Sequence, residues 1–114
     1  MVIVDDEKPI ADILQFCFQK EGFSIECAYN GQEALQLIED MQPDMILVDV
    51  MLPDLNGIEV CRKIRMKYEI PIIMMTANCS KNDQNDAINI GACDYIMKPF
   101  HMKELVSLVK ENLI

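Results

Sequence analysis

The sequence predicts an α/β domain built as a doubly wound, five-stranded parallel sheet with helices on both faces. Three observations predict it. Short apolar runs alternate five times with amphipathic stretches, the order that gives parallel strands joined by right-handed helical crossovers. The runs "MVIV", "MILV" and "IIMM" are apolar at every position, as strands covered on both faces should be. Turn and cap residues fall between the runs, where a change of element needs them.

The elements follow in order. Met1–Val4 is the first strand candidate, and Pro9–Lys20 the first helix, with Pro9 suited to an opening turn. Ile10, Ile13, Leu14, Cys17 and Phe18 recur at helical spacing and predict one apolar face. Gly22 stands just past the helix end, where a left-handed residue is wanted. The second strand, Ser24–Ala28, reads "SIECA"; its alternation suits a sheet edge. Asn30 with Glu33 makes a capping box for a helix over Gln32–Met41. Met45–Val48 is the third strand, and Ile58–Lys67 the third helix. Ile72–Met75 and Asp94–Met97 are the last two strands, with a helix candidate at Asp83–Ile90 between them and Gly91 just beyond it. Met102–Asn112 closes the set, with Met102, Leu105, Val106, Val109 and Leu113 on its apolar side. Pro43, Pro53 and Pro71 all fall in connections.

The chain has 114 residues, enough for one domain with one core, and its 51% hydrophobic and 25% charged residues are ordinary for a globular protein. A net charge of −9 repels nucleic-acid backbone and anionic lipid, so neither is an expected partner of this segment. The five cysteines are odd in number and form no CxxC pair, which points to a reducing, cytoplasmic setting. "MVIV" runs directly into acids with no basic segment before it, and no apolar run reaches the length of a membrane span. The chain starts within a strand-like run, so residues 1–114 are expected to be one domain of a longer protein.

The chemistry lies at the strand ends. Asp5 and Asp6 follow the first strand, Asp49 the third, Thr76 the fourth and Lys98 the fifth. In a parallel sheet these positions share the carboxyl edge, where open α/β sheets bind ligands. Singly, each has a bland reading: acids at a helix start, a turn acid, a loop hydroxyl, a solvated lysine. Jointly they bring three carboxylates, a hydroxyl and an ammonium to one crevice. Three carboxylates so close favour a cation, and without His or Cys beside them a hard, oxygen-seeking ion such as Mg²⁺ fits. A divalent ion, an ammonium and a hydroxyl around one carboxylate suit phosphoryl transfer onto that carboxylate.

The acids at 5 and 6, "VDVMLPDLNG" at 48–57, "MTA" at 75–77 and "DYIMKPF" at 94–100 resemble the receiver domain of bacterial two-component response regulators. "DVMLPDLNG" is most similar to receivers joined to winged-helix DNA-binding domains. The resemblance implies a flavodoxin-like fold with strand order 2-1-3-4-5. It implies a signalling phosphoacceptor rather than an enzyme acting on separate substrates, with Asp49 taking a phosphoryl group from a sensor histidine kinase. It further implies that Asp6, Asp49 and the backbone carbonyl of Met51 bind Mg²⁺, with Asp5 acting mostly through water. Lys98 would pair with the acyl phosphate, Thr76 would swing toward it, and Tyr95 would turn inward to change the face made by the fourth helix, fifth strand and last helix. A cis bond before Pro99 is also implied.

Three other readings compete. An FMN-binding module would want a neutral, hydroxyl- or glycine-rich loop where "DDEKP" stands. A haloacid-dehalogenase-like phosphatase would carry D-x-D after its first strand, whereas these acids are adjacent. A receiver-fold interaction module working without phosphorylation would not need the intact Asp6, Asp49, Thr76 and Lys98 set.

Winged-helix receivers pair through charges on the face of the fourth and last helices. Asp94 and Glu104 match the acidic part of that pattern, but Ser80, Gln84 and Leu108 stand where basic partners occur. The expectation is a phosphorylation-dependent homodimer that uses Leu108 as an apolar contact on the exposed side of the last helix and depends little on salt. Met51 and Asn78 are expected to flank the path of an attacking water. His101, the only histidine, is read as a surface residue, and Cys79 as a loop thiol.

Overall fold

A computed structural model describes residues 1–76, 91–92 and 94–113. Five parallel strands, β1 (Val2–Val4), β2 (Glu26–Ala28), β3 (Ile46–Asp49), β4 (Ile72–Thr76) and β5 (Asp94–Met97), form one sheet in the order β2-β1-β3-β4-β5. Around it lie α1 (Lys8–Lys20), α2 (Gly31–Met41), α3 (Gly57–Arg65) and α4 (Met102–Asn112). The doubly wound fold and its strand order are thus as expected. The helix candidate at Asp83–Ile90 lies outside the described residues, as do Asn78, Cys79, Ser80 and Gln84.

The pleat sorts each strand between two cores. Val2, Val4, Ile46, Val48, Ile72 and Met74 pack with Ala34 and Ile38 of α2 and Val60, Cys61 and Ile64 of α3. Ile3, Leu47, Ile73, Met75 and Ile96 face the other way, against Leu14 and Phe18 of α1 and Leu105 and Val109 of α4. Strands sandwiched in this way have no solvent face, which is why their sequences do not alternate. "SIECA" does alternate, and β2 is an edge strand, shortened to Glu26–Ala28.

Local signals act as expected. Pro9 sits in the first turn of α1, and the Asn30 side chain accepts from Glu33 N–H at 2.8 Å to cap α2. Gly22 and Gly91 adopt φ of +95° and +100°, the left-handed region that costs glycine no Cβ clash.

Two faces differ from the expectation. Ile13 is 56% exposed, and its predicted place on the buried stripe of α1 belongs to Ala11, because α1 meets the sheet along the line Ala11–Leu14–Phe18. Leu108 is half-buried and packs against the core with Leu105 and Val109. It is not fully outward on α4, since it stands three residues after Leu105 and so lies at the border of the buried stripe.

Candidate functional site

The first, third and fifth strands deliver the residues at or just past their carboxyl ends to one edge of the sheet. Val4 pairs in register with Val48, which puts Asp5 and Asp49 side by side just beyond that pair. Asp49 itself is the last residue of β3, opposite Met75, and Thr76 follows on β4 opposite Met97. The Lys98 N–H donates to the Thr76 carbonyl at 2.7 Å, carrying the ladder one residue past β5 and setting the Lys98 side chain at the same edge.

The Lys98 ammonium donates to Asp5 Oδ2 at 2.9 Å and to Asp49 Oδ2 at 2.8 Å. Both carboxylates are buried, and Thr76 is buried beside the same strand ends. Their other oxygens are held by backbone: Glu7 N–H donates to Asp5 Oδ1 at 2.9 Å, and Met51 N–H to Asp49 Oδ1 at 3.0 Å. Among the described residues, no buried side-chain nitrogen or oxygen lacks a partner. Burial pushes the Asp5 carboxyl above its usual range, against the opposing hydrogen bonds from Lys98 and Glu7. Burial also disfavours the charged Lys98 ammonium, but Asp49 and Asp5 outweigh it and hold its pKa above the ordinary value.

Asp6 and Glu7 are exposed at the mouth of the same crevice. Carboxylate oxygens of Asp5, Asp6, Glu7 and Asp49 lie within 4.8 Å of one another. Four carboxylates against one ammonium leave three negative charges uncompensated when all are ionised. The donor set is entirely carboxylate oxygen, which fits a hard divalent cation such as Mg²⁺ and not a thiolate- or imidazole-seeking metal.

The remaining predicted residues are placed as follows. Met51 follows Asp49 by two, with its side chain 67% exposed. Tyr95 lies on β5 in register with Met74, half-buried against the core shared with α2 and α3. The Lys98–Pro99 peptide bond is cis. His101 is exposed at the N-cap of α4, with no side-chain cap bond.

Two contributors were not singled out from the sequence. Glu7 joins the carboxylate cluster and lies 4.0 Å from the Lys98 ammonium; its place in the acidic run "DDEKP" was the available signal. Asp54 sits in the loop after β3, and its carboxylate accepts from Gly31, Gln32 and Leu55 N–H at 2.7, 3.0 and 2.8 Å. "PDLNG" reads as a turn, and nothing local marks amides 23 residues away as its partners.

Among the described residues, no helix is long and apolar enough to cross a membrane.

Comparison with known proteins agrees with this geometry. Residues 1–110 match the family model described as response regulator receiver domain. The chain is similar to a CheY-like response regulator receiver domain protein from Methanospirillum hungatei JF-1, with 34% identity, a TM-score of 0.94, and coverage of 98% of this chain and 90% of that one. It is similar to a two-component response regulator from Clostridium difficile, with 33% identity, a TM-score of 0.95, and coverage of 98% and 93%. The chemotaxis protein CheY4 of Vibrio cholerae is 30% identical, with a TM-score of 0.94 and coverage of 98% and 96%. The chain belongs to the response regulator receiver domains, the signalling domains of two-component systems.

Proposed function

We propose that residues 1–114 act as a receiver domain in which Asp49 accepts a phosphoryl group from a sensor histidine kinase in a Mg²⁺-dependent reaction. The observation that carries this reading is the Lys98 ammonium held between Asp5 and Asp49, at 2.9 and 2.8 Å, beside the exposed acids Asp6 and Glu7. An Asp49 oxygen attacks phosphorus, the bond to the donor nitrogen breaks, and the departing imidazole keeps the electron pair and takes a proton. Asp6, Asp49 and the Met51 carbonyl would hold the cation, with Asp5 acting mostly through water. When bound, Mg²⁺ neutralises charge on the carboxylate and phosphoryl oxygens. Lys98 moves its ammonium from the free carboxylate to the acyl phosphate, and Thr76 donates its hydroxyl to the new group.

Tyr95 then turns inward, altering the face that includes β5 and α4 and thereby the output. The likeness of residues 49–57 to winged-helix regulators supports an output on a separate DNA-binding domain, in a cytoplasmic transcription regulator. The net charge of −9 disfavours DNA contact by the receiver itself. Self-association on phosphorylation would use the same face. Leu108, half-buried against the core, would offer that face only part of its side chain.

The test is labelling with acetyl phosphate or beryllofluoride, with and without Mg²⁺. Uptake that needs Mg²⁺ and disappears in Asp49→Ala supports the reading. An unlabelled wild type would instead favour an interaction module that works without phosphorylation.

A further inference from the structure

The loop from β3 to α3 carries Met51, and it is fastened at both ends. Met51 N–H donates to Asp49 Oδ1 at 3.0 Å, and Gly57 N–H donates to the Val50 carbonyl at 2.8 Å. Its apex is fastened to a different element. Asp54 Oδ1 accepts from Gly31 N–H at 2.7 Å and Oδ2 from Gln32 N–H at 3.0 Å, the first two residues of α2. The approach at this joint is close: a Cβ added at Gly31 would stand 2.7 Å from Leu55 Cβ.

This fork does more than cap a helix. The first amides of any helix lack internal partners, but α2 already has its own cap in Asn30, which takes the Glu33 N–H at 2.8 Å. Gln32 is exposed and water could serve its amide, whereas Gly31 is buried against the loop that brings Asp54 to it. A carboxylate reaching them from another loop instead restrains that loop, through charge-assisted bonds at the positive end of a helix. The Gly31 amide above all, with those of Gln32 and Leu55, holds the Asp54 carboxyl below its usual range.

We propose that Asp54 is a positioning residue for the cation site: anchored on the N-terminus of α2, it holds the loop in the conformation that presents the Met51 carbonyl beside Asp49. It touches no cation itself. The inference rests on the assignment of Met51 as a cation ligand made above.

The experiment titrates Mg²⁺ alone into wild type, Asp54→Ala, Asp54→Asn and Asn30→Ala by calorimetry, and follows amide hydrogen exchange at Gly31 and Gln32. Asp54→Ala should weaken Mg²⁺ binding about tenfold, the lower end of losses seen when an outer partner of a metal ligand is removed. Asp54→Asn, nearly the same shape, should fall between, since it keeps one accepting oxygen and turns a donor toward the other amide. Asn30→Ala removes the helix's own cap without touching the loop and should leave Mg²⁺ affinity unchanged. By reciprocal linkage, Mg²⁺ should slow exchange at Gly31 in wild type and not in Asp54→Ala. Asp54→Ala binding Mg²⁺ as tightly as wild type, or Asn30→Ala losing as much affinity as Asp54→Ala, would overturn the proposal. A wild type that takes up no Mg²⁺ would overturn the cation assignment itself, and this inference with it.

Discussion

The Lys98 ammonium lies 2.8 Å from Asp49 Oδ2, although 49 residues separate the two in the chain. The same ammonium serves buried Asp5, so one cation holds two carboxylates that would otherwise repel each other out of water.

Replacing that lysine tests the balance. Lys98→Met keeps most of the side-chain bulk and strands Asp5 without a positive partner, a change expected to cost about 3 kcal/mol near neutral pH. The pH dependence has a definite sign. Folded Asp5 binds its proton more tightly than unfolded Asp5, so its contribution is complete below the ordinary value of 3.8 and is lost as pH rises through the folded value. The Lys98 contribution is complete below 10.5 and is lost as pH rises through its own raised value. Without Lys98, Asp5 is costlier to ionise, so the deficit should be largest at about pH 7 and shrink toward about pH 4. Urea unfolding of both proteins at the two pH values measures this, and an equal deficit at both would speak against it.

Gly57→Ala should damage the site through the backbone. A Cβ at Gly57 would run into the Asp49 carbonyl oxygen and stand 2.7 Å from Val50 Cα, neither of which is the end of a flexible side chain. The expected loss is about 2 kcal/mol, as for other overpacked positions, together with slower acetyl phosphate labelling. A stable, fully labelled Gly57→Ala protein would show that β3 and α3 can separate freely at this point.

Met51 bears on the lifetime of the phosphoryl group. Its exposed thioether stands two residues beyond Asp49 and orients water poorly. Slow self-dephosphorylation is the expected outcome, and Met51→Asn should accelerate decay by less than about a hundredfold, because a carboxamide can orient a water but does not take its proton as a general base does. Decay of labelled protein after donor removal gives the rate directly; identical decay curves would exclude a role for this side chain.

Phe18→Ala offers the contrast of a lesion away from the crevice. Phe18 is fully buried on α1 and meets Phe23 edge-on, with ring centroids 5.6 Å apart. Losing it should cost about 3–5 kcal/mol, while the folded fraction still takes label at the wild-type rate. Calorimetric melting paired with labelling separates the two effects.

Much of this molecule is legible along the chain because the relevant forces are local or periodic. Unbroken apolar runs mark strands covered on both faces, glycine marks the left-handed turns at 22 and 91, and the last helix keeps the bounds Met102–Asn112 that its spacing predicts. The gathering of Asp5, Asp49, Thr76 and Lys98 also follows from sequence, since parallel strands must end on a common edge.

The tertiary structure alone decided the rest. Which side of α1 is buried depends on the line along which the helix meets the sheet, so Ala11 is covered and Ile13 is not. Leu108 packs inward for the same reason. Asp54 finds amides that every helix N-terminus offers, and only docking of the β3–α3 loop on Gly31 selects those of α2. Periodicity and turn chemistry act between neighbours in the chain and can be read from it. A contact between separate elements depends on how they dock, and side-chain types alone carry no record of that.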